Sequence, residues 1–240
     1  MAIVEIDMSP PPSWLRVRHL SAVFAVAVAP LLGVAWSFLV PLFRGSMSIE
    51  VANVAANPAR FVAGTYLGVL MSFLMIPAAL AMGRFIRPRA PVAGDVTTAL
   101  WALGACFHGG VLAFQLAEAN LVARTPDLTL ATTMVSRLFE YTGFTLVLVP
   151  FIAFYVGLAA FAVLLILRRA VPLWIPVLIL VSIPIELFAP IPWKARLFFV
   201  LLGVAFAGLA RAVWRIGPVE WARRADDTHA QAMATNSAAD

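Results

Sequence analysis

The chain reads as an all-α, polytopic transmembrane helix bundle of six spans, with both termini on the cytoplasmic side. Three observations lead there. Of 240 residues, 62% are hydrophobic and 12% charged, against roughly 45–50% and about 25% in soluble domains. The apolar residues fall into long, nearly uncharged runs. Most of the arginines gather in the short segments between those runs.

A helix rises about 1.5 Å per residue and the hydrocarbon layer is about 30 Å thick, so roughly 20 apolar residues cross it. Six stretches meet or approach that length: 22–43, 61–83, 96–122, 144–167, 172–190 and 197–214. Three regions follow: a cytoplasmic lead-in over 1–21, the six-helix domain over 22–214, and a cytoplasmic, partly disordered tail over 215–240.

Ahead of the first span, Ser9-Pro10-Pro11-Pro12 is stiff and non-helical, because proline lacks an amide donor and restricts the residue before it. Arg16, Arg18 and the small-residue run Ala27-Val28-Ala29 also suit a cleaved signal peptide. The uncharged run is longer than an h-region of about 7–15 residues, which favours a retained span. The second span opens at Asn57-Pro58, a capping side chain followed by proline at the first helical position.

Between the third and fourth spans, Leu128, Leu130, Met134, Val135 and Leu138 recur at helical spacing, predicting a surface helix or an outward extension of the fourth span. In the fifth span, Pro184 leaves the carbonyl of Leu180 without its usual donor, and Ser182 and Glu186 lie one turn apart beside that kink. Pro77 stands mid-way in the second span. A three-plus-three division of the chain then gives two broken helices, as in transporters built from inverted repeats. After Trp214 the tail turns polar, with a short interfacial helix expected around Trp221.

Orientation follows from counting. With the flanks assigned alternately, eleven of the 17 basic residues fall on the side of the termini, and the positive-inside rule makes that side cytoplasmic. Trp14, Trp174, Trp193 and Trp214 lie near predicted helix ends, where an indole prefers the head-group layer. The pI of about 10.3 points to anionic lipid head groups rather than nucleic acid, since the arginines flank spans instead of forming a block with interleaved aromatics.

Ionisable groups inside a bilayer are expensive and call for a functional explanation. At 100° per residue, His108, Gln115 and Glu118 fall within about an 80° arc of the third span, so this stripe faces the bundle interior or an aqueous cavity. Together with Ser182 and Glu186 they form the candidate binding set. The functional reading is a proton or cation path, with Glu118 titrating near the outer end and His108 deeper. The structural reading puts Glu118 and Asn120 in the outer interface near Arg124 and hydrogen-bonds His108 between helices. Small residues four apart at Gly64 and Gly68, Ala153 and Gly157, and Gly203 and Ala207 allow close helix approach, within the chain or between chains.

No catalytic residue, metal ligand set or cofactor is predicted. Only His108 of the three histidines lies within a span, and Cys106 points about 160° away from it, which removes both a dyad and a bis-histidine haem. Cys106, the single cysteine, reads as a small core residue. The single lysine, Lys194, sits in a connection rather than a helix interior, and there is no Gly-x-Ser-x-Gly, His-Glu-x-x-His or phosphate-cradling loop.

Asn57-Pro-Ala-Arg-Phe61, Arg87-Pro-Arg-Ala-Pro91 and Arg168-Arg-Ala-Val-Pro-Leu-Trp174, in this order, resemble an uncharacterised family of bacterial six-span membrane proteins known only as a domain of unknown function. That resemblance implies the topology and a bacterial inner membrane, and carries no site residues. Three functions compete: transport of a small solute or proton, an accessory or assembly subunit whose small-residue faces dock other chains or a second copy, and a membrane-embedded enzyme acting on lipid through Glu118 or Glu186. The first leads.

Overall fold

A computed structural model describes residues 12–40, 46–88, 90–140, 142–191 and 193–223. Among them there are helices and connections but no strand. The helices are α1 (Ser13–Leu39), α2 (Met47–Ala56), α3 (Pro58–Ile86), α4 (Pro91–Arg124), α5 (Leu128–Glu140), α6 (Thr142–Leu167), α7 (Trp174–Phe188) and α8 (Lys194–Ile216). Five of them, α1, α3, α4, α6 and α8, are long and apolar enough to cross a membrane; α2 and α7 are shorter apolar helices.

The six apolar helices α1, α3, α4, α6, α7 and α8 pack side by side in that order, and α8 closes the ring against α1. Short connections make neighbours antiparallel. Large apolar side chains point outward along the ring, among them Phe24, Leu31, Phe73, Leu103, Val156 and Val204. An exterior of that kind needs hydrocarbon around it. Inside, Trp101 is fully buried against Phe161 (5.2 Å between ring centres) and Phe206 (5.6 Å).

Helix boundaries differ from the hydropathy reading in one systematic way. α1 starts at Ser13 rather than 22, because Pro12 supplies the helix entry, its carbonyl accepting the Leu15 amide at 3.0 Å. Arg16, Arg18 and His19 therefore lie on the helix. α4 and α8 also extend past their predicted ends, while α7 ends at Phe188, ahead of Pro190. Pro58 occupies the first turn of α3 as predicted, but Asn57 makes no side-chain cap. Cys106 is exposed on the outer face of α4 rather than in the core, because the interior arc of that helix is filled by Trp101, Ala105 and Leu112.

α1 and α8 cap each other. The last carbonyls of a helix have no intrahelical donor. At the end of α1, Arg196 of α8 donates from Nε to the Ser37 carbonyl at 3.2 Å, and Arg60 of α3 donates to the Phe38 carbonyl at 2.7 Å. At the other end, His19 Nε2 of α1 donates to the Val213 carbonyl of α8 at 2.9 Å. Two cations at a helix C-terminus also suit its dipole.

Small residues set the helix spacing within the chain. A Cβ on Gly68 would lie 2.8 Å from Trp36 Cδ1 and 2.9 Å from Leu112 Cδ1, so α1, α3 and α4 meet there. α4 and α6 cross backbone to backbone at Gly104 and Gly157. The pair at Gly203 is looser, its nearest neighbour being Val34 Cγ2 at 3.8 Å.

After Gly217, at φ 76°, helical geometry resumes over 218–223. Trp221 is buried rather than interfacial, at 2% exposure. Residues 224–240, where the disordered part of the tail was expected, lie outside the described residues.

Candidate functional site

A cavity of about 330 Å³ extends from α2 and α5, at the end of the bundle where α1 ends and α8 begins, down to His108 at mid-length of α4. The inward arc of α4 supplies His108 and Gln115, α7 supplies Glu186, and α2 supplies Glu50. Aromatic side chains from α1, α5, α6 and α8 complete the wall.

His108 is oriented by a short relay. Its Nδ1 lies 2.8 Å from the Ser72 hydroxyl, which itself lies 3.0 Å from the Gly68 carbonyl. The Ser72 hydroxyl has one proton for two neighbours, so it either donates to Nδ1 or accepts from it, according to the imidazole tautomer. Phe151 stacks on the ring at 4.9 Å, and Trp36 meets it edge-on at 6.2 Å. The ring plane is thus held from α1, α3 and α6.

Three buried acceptors on lining residues have no hydrogen-bond partner among the described residues: Gln115 Oε1, at 4% residue exposure, Glu186 Oε2 and Glu50 Oε1; both carboxyl oxygens of nearby Glu118 and one lining donor, Trp36 Nε1, also lack a partner. Buried acceptors left unpaired cost about 1–3 kcal/mol each. The charge of Lys194 acts on Glu186, and that of Glu186 on Tyr155.

Glu118 sits one turn beyond Gln115, fully buried at 0% exposure, and its carboxyl interacts directly with that of Glu50 across the α2–α4 contact. Glu118 is thus buried beneath α2, and His108 is hydrogen-bonded between α3 and α4, as the structural reading expected of it. Asn120, two residues on, is exposed. Ser182 does not line the cavity; it is buried, and its hydroxyl donates to the Ile179 carbonyl at 2.8 Å.

Glu50 was not found from the sequence, though a signal existed. Met47, Glu50, Val51 and Val54 recur at helical spacing, and Glu50, Val51 and Val54 are the buried face of α2. A glutamate on the apolar face of a ten-residue helix asks for a partner, and Glu118 is that partner. α7 departs from the repeat expectation, since it has 15 residues against 29 in α3 and its Pro184 stands one turn from the helix end.

Burial pushes the Glu50 carboxyl up to about 7, with its interaction with Glu118 pulling the other way. Its folded-state proton affinity thus exceeds that of the unfolded chain. The resulting stability is fully present below the ordinary value of 4.5 and is lost as pH rises through about 7. The groups facing Glu50 from α4 and α7 are Glu118, His108 and Glu186. Thermal melting of the purified protein is expected to give a midpoint lower by about 3 °C at pH 8.5 than at pH 5.5. Glu50→Gln should flatten much of that slope; an unchanged slope would detach Glu50 from it.

No family model matches the chain, nor does any curated protein or solved structure, so the loop patterns compared above to a bacterial six-span family gain no support there. Among the described residues, no three His, Cys, Asp or Glu side chains converge as metal ligands.

Proposed function

We propose that the chain is a six-span membrane protein that carries a small solute through this cavity in exchange for protons. The observation that supports it most is the cavity itself: a space with unpaired acceptors, reaching mid-length of a bundle with an apolar exterior. Such a space at membrane depth is what a carrier requires. The buried Glu50 carboxyl adds a group that takes up and releases a proton.

In this reading α7, about 22 Å long at 15 residues, is the sixth span, because a six-residue connection from α6 returns it along the ring. The end bearing Arg84, Arg168, Arg211 and Arg215 is cytoplasmic by the arginine asymmetry, against anionic head groups. Below His108 the ring is filled by Trp101, Phe161 and Phe206, so the cavity faces the outer side with the inner half closed. A bacterial inner membrane suits that topology.

The test is flux. Purified protein in phosphatidylcholine vesicles loaded with a pH-sensitive dye is challenged with small amines, carboxylates and sugars. At least one class should move protons about 10-fold faster than in protein-free vesicles, with Glu186→Gln removing most of the gain, the equivalent of ~1.4 kcal/mol or more. No flux above protein-free vesicles for any class would end the transport reading. Wild-type flux through Glu186→Gln would place the path elsewhere.

A further inference from the structure

We infer that the ligand of this cavity is a monovalent organic ammonium ion, a cationic nitrogen bearing an apolar group, received between the aromatic walls and the carboxyls of Glu50 and Glu186. The inference rests on reading the cavity as a solute site, and it names the solute's chemistry.

Charge narrows the class first. The lining holds two carboxyls and neither lysine nor arginine. Lys194 acts on Glu186 but stands outside the lining. An anion would meet like charge with no donor fork to receive it.

The walls narrow it further. Trp36, Phe151, Tyr155 and Phe199 crowd one end of the cavity, Trp36 lying edge-on to Phe199 at 5.5 Å and Phe151 to Tyr155 at 5.2 Å. Perpendicular rings present their negative faces in more than one direction, the arrangement that attracts alkylammonium groups. A sugar would need donors and acceptors all round, and here the polar groups are few and mostly acceptors. A metal ion needs converging ligands, which the described residues do not provide.

The unpaired acceptors agree. Gln115 Oε1 and Glu186 Oε2 want a donor or a positive charge, and an ammonium supplies both. A volume of about 330 Å³ lies at the small end of the range for ligand pockets, roughly 300–1,000 Å³. A cation entering beside the buried Glu50 carboxyl favours its ionised form, so binding releases a proton to solvent. That links this chemistry to exchange.

Benzylammonium is a suitable probe, with ethylbenzene as its neutral isostere and phenylmethanesulfonate as its anionic counterpart. Each is titrated calorimetrically into the full-length protein in phosphatidylcholine nanodiscs. The cation should bind about 10-fold tighter than either, a difference of one charge contact. Its enthalpy should vary with the ionisation enthalpy of the buffer, reporting proton release. Glu186→Gln and Glu50→Gln should each weaken it about 5-fold or more, while Arg211→Gln, at the opposite end of the bundle, should not.

Equal or tighter binding of the neutral or anionic probe overturns the inference while leaving transport of another solute standing. Failure of the cation to bind at all overturns it as well. Cation binding with the expected preference but no flux in vesicles sustains the inference and sinks the transport reading. Should Glu186→Gln fail to fold, Glu50→Gln and the buffer dependence still decide the matter.

Discussion

Gly157→Ala is expected to destabilise the protein by about 3 kcal/mol, and Gly157→Val to prevent recovery of a monodisperse species. A Cβ at this position would meet the backbone nitrogen of Trp101, with its Cα at 2.7 Å and its Cβ at 2.9 Å. Backbone atoms cannot rotate aside, so α4 and α6 would have to separate. Gly104→Ala meets the same obstacle from the other side, against the backbone of Phe154. Gly203→Ala is the control, because its nearest neighbour is a side-chain methyl in ordinary contact at 3.8 Å. Size-exclusion profiles and thermal melts in detergent measure all three. Equal effects at Gly157 and Gly203 would refute the backbone-contact account.

Trp221→Ala should cost about 3 kcal/mol and release the 218–223 segment from the bundle. The indole is buried beside Phe85 at 5.9 Å and His19 at 6.2 Å, with the Arg84 guanidinium 5.1 Å from its ring centre. It therefore fastens the chain beyond α8 to α1 and α3 at once. Trp221→Phe should retain most of the stability by keeping an aromatic face for Arg84. Limited proteolysis near Gly217 reads the release directly. Unchanged protection in Trp221→Ala would mean that the segment is held by other contacts.

The long helices were legible because a span is a local property. Hydropathy over about 20 residues decides it, and five of the predicted spans correspond to helices long enough to cross. Their ends were less legible. Arg16, Arg18 and His19 looked like the flank of the first span, yet a helix continues through charged residues when their side chains reach a partner or the head-group layer. His19 finds the Val213 carbonyl, 194 residues away in sequence. Similarly, Arg60 and Arg196 entered the topology count as bare charges, whereas each caps the end of α1.

The candidate site was half legible. The inward arc of His108, Gln115 and Glu118 follows from helical periodicity alone. What the arc faces does not. Glu50 meets Glu118, and Glu186 shares a cavity with His108, only because α2 folds back over the ring and α7 closes beside α8. Ser182 looked equivalent to Glu186 by spacing, but its hydroxyl is spent on its own helix.

The sequence by itself determined that the described residues are built around long apolar helices and which helix of the ring carries an inward polar stripe. Those follow from composition and period, which act over a turn or a span. Only the tertiary structure decided that the stripe borders a cavity, that Glu118 has a carboxyl partner, and that the glycine contacts lie within the chain. Each of these depends on side chains distant in sequence arriving at one place, and the order in which helices close a ring is set by packing across the whole bundle.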